Sequence, residues 1–209
     1  MAFTIKRLTP ELIPDYMDFF DNRAFSDGSP YYPCYCCNYN MPDEEFFGHC
    51  EGLEDTTENR CHVQRDCAEI LIRDGRLQGY LVYDGDVSIG WCNANDKQSF
   101  LHYGNFDADD PADAERTAAI RADTPAKTKS MICFEIAPGY RRKGIATMLV
   151  ERICADALEE GYEFAEMYAS ERDDLDELDF TGPMGLCLKL GFERAGKYDD
   201  VVVMRKKLK

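Results

Sequence analysis

Three consecutive cations, Arg141, Arg142 and Lys143, stand directly before Gly144 in a chain of 209 residues whose net charge is −16. They separate two segments of different period. Before them, Ile132, Cys133, Phe134 and Ile136 make a short apolar run that breaks at Ala137-Pro138-Gly139. After them, Ala146, Leu149, Val150, Ile153, Cys154, Ala157 and Leu158 recur at helical spacing. The pattern predicts a strand, a turn and a helix that begins close to Gly144. The head of a helix carries unpaired amides and partial positive charge, which suits an anion. Gly144 removes a side chain where a ligand would approach the backbone, and Ala146 keeps the next position small. A diphosphate fits this description. An ordinary solvated basic turn would carry the same cations, and the turn alone does not choose between the two readings.

The wider pattern does choose. Arg141-x-x-Gly144-x-Ala146, after Ile136-Ala137-Pro138, resembles the acyl-CoA signature of the GNAT superfamily of N-acetyltransferases. Downstream, Leu186-Cys187-Leu188-Lys189-Leu190-Gly191-Phe192 resembles that family's closing helix and Gly-Phe strand entry. Cys34-Tyr35-Cys36, Gly90-Trp91-Cys92-Asn93-Ala94-Asn95-Asp96 and Cys133-Phe134-Glu135-Ile136-Ala137-Pro138 are similar to a bacterial branch of these enzymes. The resemblance implies an α+β fold (α/β three-layer), with a central mixed, mostly antiparallel sheet flanked by helices. It also implies acetyl-CoA as co-substrate and direct transfer of the acetyl group to an amine of a small molecule or a peptide. Phe134, Ile136 and Ala137 would then offer backbone to the pantetheine arm, and an N–H near Ile136 would polarise the acyl carbonyl. Arg141, Arg142, Lys143, Gly144, Ile145 and Ala146 would cover the diphosphate, chiefly through main-chain amides.

Such a transfer needs a base for the incoming ammonium and an acid for the leaving thiolate. Strand alternation sends Ile132, Phe134 and Ile136 to one face and Cys133 and Glu135 to the other. A carboxylate buried there would have its pKa raised into the range of a general base. The competing reading is an ion-paired or partly exposed glutamate at the strand end. Glu166 and Tyr168, on one face of the next strand, are rivals for the same work. Where the family commonly carries a tyrosine four residues before the Gly-Phe pair, this chain has Cys187. That thiol either gives the proton or packs as a small hydrophobe, and packing is the preferred reading.

The rest of the composition excludes several classes. A net charge of −16 disfavours nucleic-acid binding. No apolar run approaches the length of a membrane span and the first residues show no signal-peptide pattern, so a soluble cytoplasmic protein is expected. Ten cysteines without a secretion signal are expected to be free thiols. Cys34, Cys36, Cys37, Cys50, Cys61 and Cys67 with His49 and His62 lack the repeated spacing of zinc ligands, and no metal is expected. The aromatic stretch around them, with Tyr35, Cys36, Trp91, Asn93 and Glu166, is expected to shape the acceptor pocket or, failing that, to pack as an apolar loop on the sheet.

In order, the chain reads as a strand over 3–8, a helix from Thr9 to about Phe20, an irregular stretch over 22–40, a short helix near Phe46, and a helix from Thr57 closed by Gly75. A hairpin follows across Asp84-Gly85-Asp86. Residues 93–129 are expected to form a long inserted loop with a short helix over 98–103. After the central unit come a strand over 162–168, a helix opened by Thr181-Gly182-Pro183, and a closing hairpin. One domain over 1–209 is expected, with a homodimer left open. Two other functional classes stay open beside the enzyme: a module that holds acyl-CoA without turnover, and a metal or redox sensor built on the cysteines.

Overall fold

The computed structural model describes residues 3–29, 31–104, 111–123, 127–170 and 180–209. Of the stretches 107–111 and 124–127, expected as exposed loop, residues 107–110 and 124–126 lie outside the described residues, as does the acidic excursion expected over 171–179, while Pro111 opens a helix. Seven strands form a mixed sheet flanked by helices, in the order β1-β2-β3-β4-β5-β7-β6. They are β1 (Thr4–Arg7), β2 (Gly79–Asp84), β3 (Val87–Asp96), β4 (Thr128–Ile136), β5 (Phe164–Ser170), β6 (Glu193–Tyr198) and β7 (Val201–Lys207). The helices are α1 (Ile13–Asn22), α2 (Asp43–Cys50), α3 (Thr57–Arg73), α4 (Pro111–Ala122), α5 (Ile145–Glu159) and α6 (Met184–Lys189). Contacts group the chain into two compact units, 1–93 with 135–145 and 94–134 with 146–209.

In the first unit the short turn Pro10–Leu12 leads into α1, which buries Ile13, Tyr16, Met17, Phe19 and Phe20. The Tyr16 hydroxyl donates to the Tyr35 carbonyl at 2.6 Å, so the helix anchors the irregular aromatic stretch that follows it. At the head of α3 the Thr56 side chain accepts from the Asn59 amide at 3.1 Å, a side-chain N-cap. β1 and β2 are antiparallel, as are β2 and β3, whose two-residue turn Gly85-Asp86 is the hairpin read from the sequence.

In the second unit β4 and β5 run parallel only from Thr128↔Phe164 to Met131↔Met167. β5 then continues against β7 to Ser170↔Val201. Beyond Met131 the Phe134 amide donates instead to the Phe180 carbonyl at 2.7 Å. Three expectations need correction here. Residues 93–129 are not loop throughout: β3 extends to Asp96, and α4 occupies 111–122. Its Ala-rich sequence behind a proline is a good helix former, which the neighbouring acidic residues concealed. The expected helix over 98–103 is a 3-10 turn, Lys97–Ser99, capped by the Asp96 side chain and ended by an extended Phe100. At α6 the cap is Pro183 itself, with no side-chain capping bond, so the expected Thr181 cap is not used.

Packing in this unit centres on a buried polar network. The Lys97 ammonium lies 2.8 Å from Glu166, and the two side chains are 1% and 0% exposed. Arg205 donates its Nε to the other carboxylate oxygen at 2.5 Å and reaches the Asp123 carbonyl at 2.7 Å. The Tyr168 hydroxyl donates to Glu166 at 3.0 Å and shares a 2.7 Å hydrogen bond with Ser130. Burial holds the Lys97 ammonium below its ordinary pKa, with Glu166 opposing that shift. Removing one member of such a group leaves the others charged and unpaired. Glu166→Gln is therefore expected to cost about 3–5 kcal/mol, read as a fall in the urea midpoint. A loss under about 1 kcal/mol would contradict the network as drawn.

Candidate active site

Between β4 and α5 the chain makes a tight reversal whose backbone is shaped for an anion. Arg142 has φ +66 and Gly144 φ +82, with Lys143 between them outside the left-handed region. Such alternation turns successive N–H groups toward one concave side, and here it runs directly into the unpaired first amides of α5. Arg142, Lys143 and Gly144 are exposed, whereas Ile145 is buried. A Cβ added to Gly144 would meet nothing within 4 Å, so the space in front of the turn is open. The Lys143 ammonium lies 4.7 Å from the centre of the Tyr140 ring, and the Tyr140 hydroxyl donates to Asp84 at 3.1 Å.

Glu135, the penultimate residue of β4, lies in the same unit as this turn. Its side chain is 14% exposed, and its Oε1 is 3.4 Å from Nη2 of Arg141. The residue is ion-paired, and burial still pushes its carboxyl up to about 7, against the lowering effect of Arg141. The nearby Cys34 thiol is pushed up to about 12, mainly by burial, with Cys36 and Glu135 adding to the effect. Arg141 also donates Nε to the Ile136 carbonyl at 3.0 Å and Nη1 to Asp27 at 2.6 Å. The Ala137 amide donates to Ile89 of β3 at 3.0 Å. Backbone alternation therefore aims the Ile136 amide to the opposite side.

Residues 10–180 match the family model described as the acetyltransferase (GNAT) family. The chain belongs to that family. Among solved structures it is similar to the PaiA N-acetyltransferase of Thermoplasma acidophilum in complex with coenzyme A, with 10% identity, 99% of each chain covered and a TM-score of 0.54. It is similar also to an acetyltransferase of the GNAT family from Streptococcus pneumoniae, with 15% identity, 99% of each chain covered and a TM-score of 0.52. At such identities the likeness is one of fold. None of the curated proteins matches it.

Within this GNAT chain the expected site residues separate into open and closed groups. Glu135, Ile136, Ala137, Arg141, Arg142, Lys143, Gly144 and Ile145 come together around the strand end and the turn, with Ala146 following in α5. Of the three expected backbone partners for an acyl arm, two are already engaged: Phe134 donates to Phe180, and Ala137 to Ile89. Phe134 is the correction, because the 180–183 segment packs where the β4–β5 ladder has ended. A Cβ on Gly182 would come within 2.5 Å of the Met167 methyl, so only glycine permits that approach. Glu166 and Tyr168 are locked in the buried network, and burial holds the Tyr168 hydroxyl well above its ordinary pKa. That environment does not support either residue as the rival base, nor Glu166 as a pocket residue.

Tyr35, Cys36, Trp91 and Asn93 do come together, but as core. All four are buried. Asn93 donates to Asn40 at 2.9 Å and to the Cys36 sulfur at 3.3 Å, Tyr35 donates to Asp21 at 2.5 Å, and Trp91 meets Tyr16 edge-on at 4.9 Å. They hold the 34–40 stretch on the sheet rather than line an open pocket, which is the packing alternative weighed in the sequence. All ten cysteines are free thiols, and among the described residues no group of three or more His, Cys, Asp or Glu is placed to hold a metal ion. Asp27 was missed by sequence reasoning, since it lies in an irregular stretch 114 positions from its partner Arg141 and no local pattern signals the contact. Lys97 was missed because it stands among polar residues that read as a solvated turn.

At Cys187, where the family commonly has tyrosine, the side chain is fully buried and its sulfur lies 3.8 Å from that of Met167. This is packing by a small hydrophobe. Maleimide labelling with peptide mapping is expected to modify Cys187 only after unfolding. Rapid labelling of Cys187 in the native protein would contradict the packing.

Proposed function

We propose that this protein transfers an acyl group, acetyl first, from acyl-CoA directly to the amine of a small molecule or peptide, with Glu135 as general base. The observation that carries the reading is a carboxyl poised near neutrality beside an amide-lined turn open to an anion. The diphosphate of CoA would rest on the amides of Arg142 to Ala146, with Arg142 and Lys143 adding charge. The thioester carbonyl would take the Ile136 amide, the donor directed away from β3. The fit is supported by the open space at Gly144 and by the left-handed backbone on either side of Lys143.

The proton balance follows from the substrates. A bound ammonium gives one proton to Glu135, and its nitrogen then attacks the carbonyl carbon. As the C–N bond forms and the C–S bond breaks, the second amine proton passes to the departing sulfur. No side-chain acid is required, which suits a chain with Cys187 where a tyrosine is usual. The bacterial branch suggested by the cysteine-rich motifs, and a reducing compartment that keeps those thiols free, belong to the same reading.

A module that binds acyl-CoA without turnover is the second reading. The occupied Phe134 amide and the buried Cys187 favour it. Release of free CoA from acetyl-CoA, measured across a panel of polyamines, amino acids and aminoglycosides, separates the two. Amine-dependent release is expected, whereas tight CoA binding with no release from any amine would contradict the enzyme.

Glu135 must be ionised to accept a proton and its pKa is raised to about 7, so kcat/KM is expected to rise with pH through about 7 and to level above it. Glu135→Gln is expected to remove that limb and to slow turnover by about 10²–10⁴-fold. An unchanged pH profile in the variant would exclude Glu135 as the base. Gly144→Glu places a carboxylate and a left-handed strain where the diphosphate must sit, and calorimetry is expected to show CoA binding lost. Retained affinity would show that the turn is not the phosphate site.

A further inference from the structure

The first basic residue of the turn does not face the way its neighbours do. Arg142 and Lys143 stand exposed at the open side, but Arg141 spends all three kinds of guanidinium donor on its own chain. Nε goes to the Ile136 carbonyl at 3.0 Å, Nη1 to Asp27 Oδ2 at 2.6 Å and Nη2 to Glu135 Oε1 at 3.4 Å. Three of the five N–H donors of the planar fork, one on each nitrogen, are spent within the chain, so the strand end and Asp27 set the direction of the guanidinium.

We propose that Arg141 is a positioning residue for Glu135, counter-anchored by Asp27, and that it does not contact the diphosphate of the donor. The geometry gives each member a task. The Ile136 carbonyl and Asp27 fix the guanidinium between the strand end and the 23–40 stretch. Arg141 then holds Oε1 of Glu135, leaving Oε2 as the oxygen that meets an amine. Because Asp27 shares the cation, Glu135 is steadied without becoming a strong ion pair and so stays basic enough to take a proton.

The proposal rests on Glu135 being the base, and its test needs no acceptor. The protein is prepared with 13Cδ-labelled glutamate, Glu135→Gln identifies the resonance, and the pH titration is compared with Arg141→Gln. CoA affinity of both proteins is measured by calorimetry. Loss of the cation is expected to move the Glu135 midpoint upward by about one pH unit or more, with the CoA dissociation constant within about fivefold, roughly 1 kcal/mol, of the parent. An unmoved midpoint, or affinity weakened beyond about fivefold, would overturn the proposal. If Arg141→Gln does not fold, Arg141→Lys replaces it, since lysine keeps the charge but loses the fork, and a smaller upward movement is expected. Failure of the parent protein to bind CoA would instead sink the acyltransferase reading, while the titration would still judge the role of Arg141.

Discussion

The first amides of a helix cannot be satisfied by the helix itself, and in this protein the start of α5 makes that deficit usable. Between Ile136 and Ile145 the backbone ends a strand, enters the left-handed region at Arg142 and Gly144, and delivers its N–H groups to one open side. Side-chain charge is secondary there, since Arg141 is engaged elsewhere and Lys143 rests over the Tyr140 ring. The same strand end carries the Ile136 amide and the Glu135 carboxyl, so one chain reversal sets the spacing of the three groups that the proposed transfer would use.

Two glutamates show how environment divides similar residues between chemistry and structure. Glu166 is met by Lys97, Arg205 and Tyr168, and every oxygen is committed. Its charge is answered entirely within the network. Glu135 is answered by one cation that it shares with Asp27, at a longer distance and at the edge of solvent. Burial without full compensation raises its carboxyl toward neutrality, which is the condition for a base at physiological pH. The strongly acidic composition of the chain would not by itself separate these cases.

Local signals made the central elements legible. The change from an apolar run to helical spacing around Gly144 placed β4 and α5, Asp84-Gly85-Asp86 placed the hairpin, and the closing Gly-Phe pair placed the last two strands. The apolar run around Glu135 placed that residue in β4, and the family resemblance matched the order of elements along the chain. What escaped was settled by contacts between distant residues. Nothing near Asp27 announces Arg141, nothing near Lys97 announces Glu166, and the aromatic 31–40 stretch gives the same composition whether it lines a pocket or fills a core. Burial of Tyr35, Cys36, Cys37 and Tyr39 decides that its second half fills a core, while Tyr31 and Tyr32 stay exposed. α4 escaped for a different reason, since an alanine-rich helix beside acidic residues carries too weak an apolar stripe to stand out from loop.

Amide resonances report the anion seat most directly. In a 15N-labelled sample titrated with coenzyme A, the largest chemical-shift changes are expected on the amides of Arg142, Lys143, Gly144, Ile145 and Ala146, with Ile136 following when acetyl-CoA replaces CoA. Saturable changes confined to other segments, with the amides of 142–146 unmoved, would contradict the anion seat.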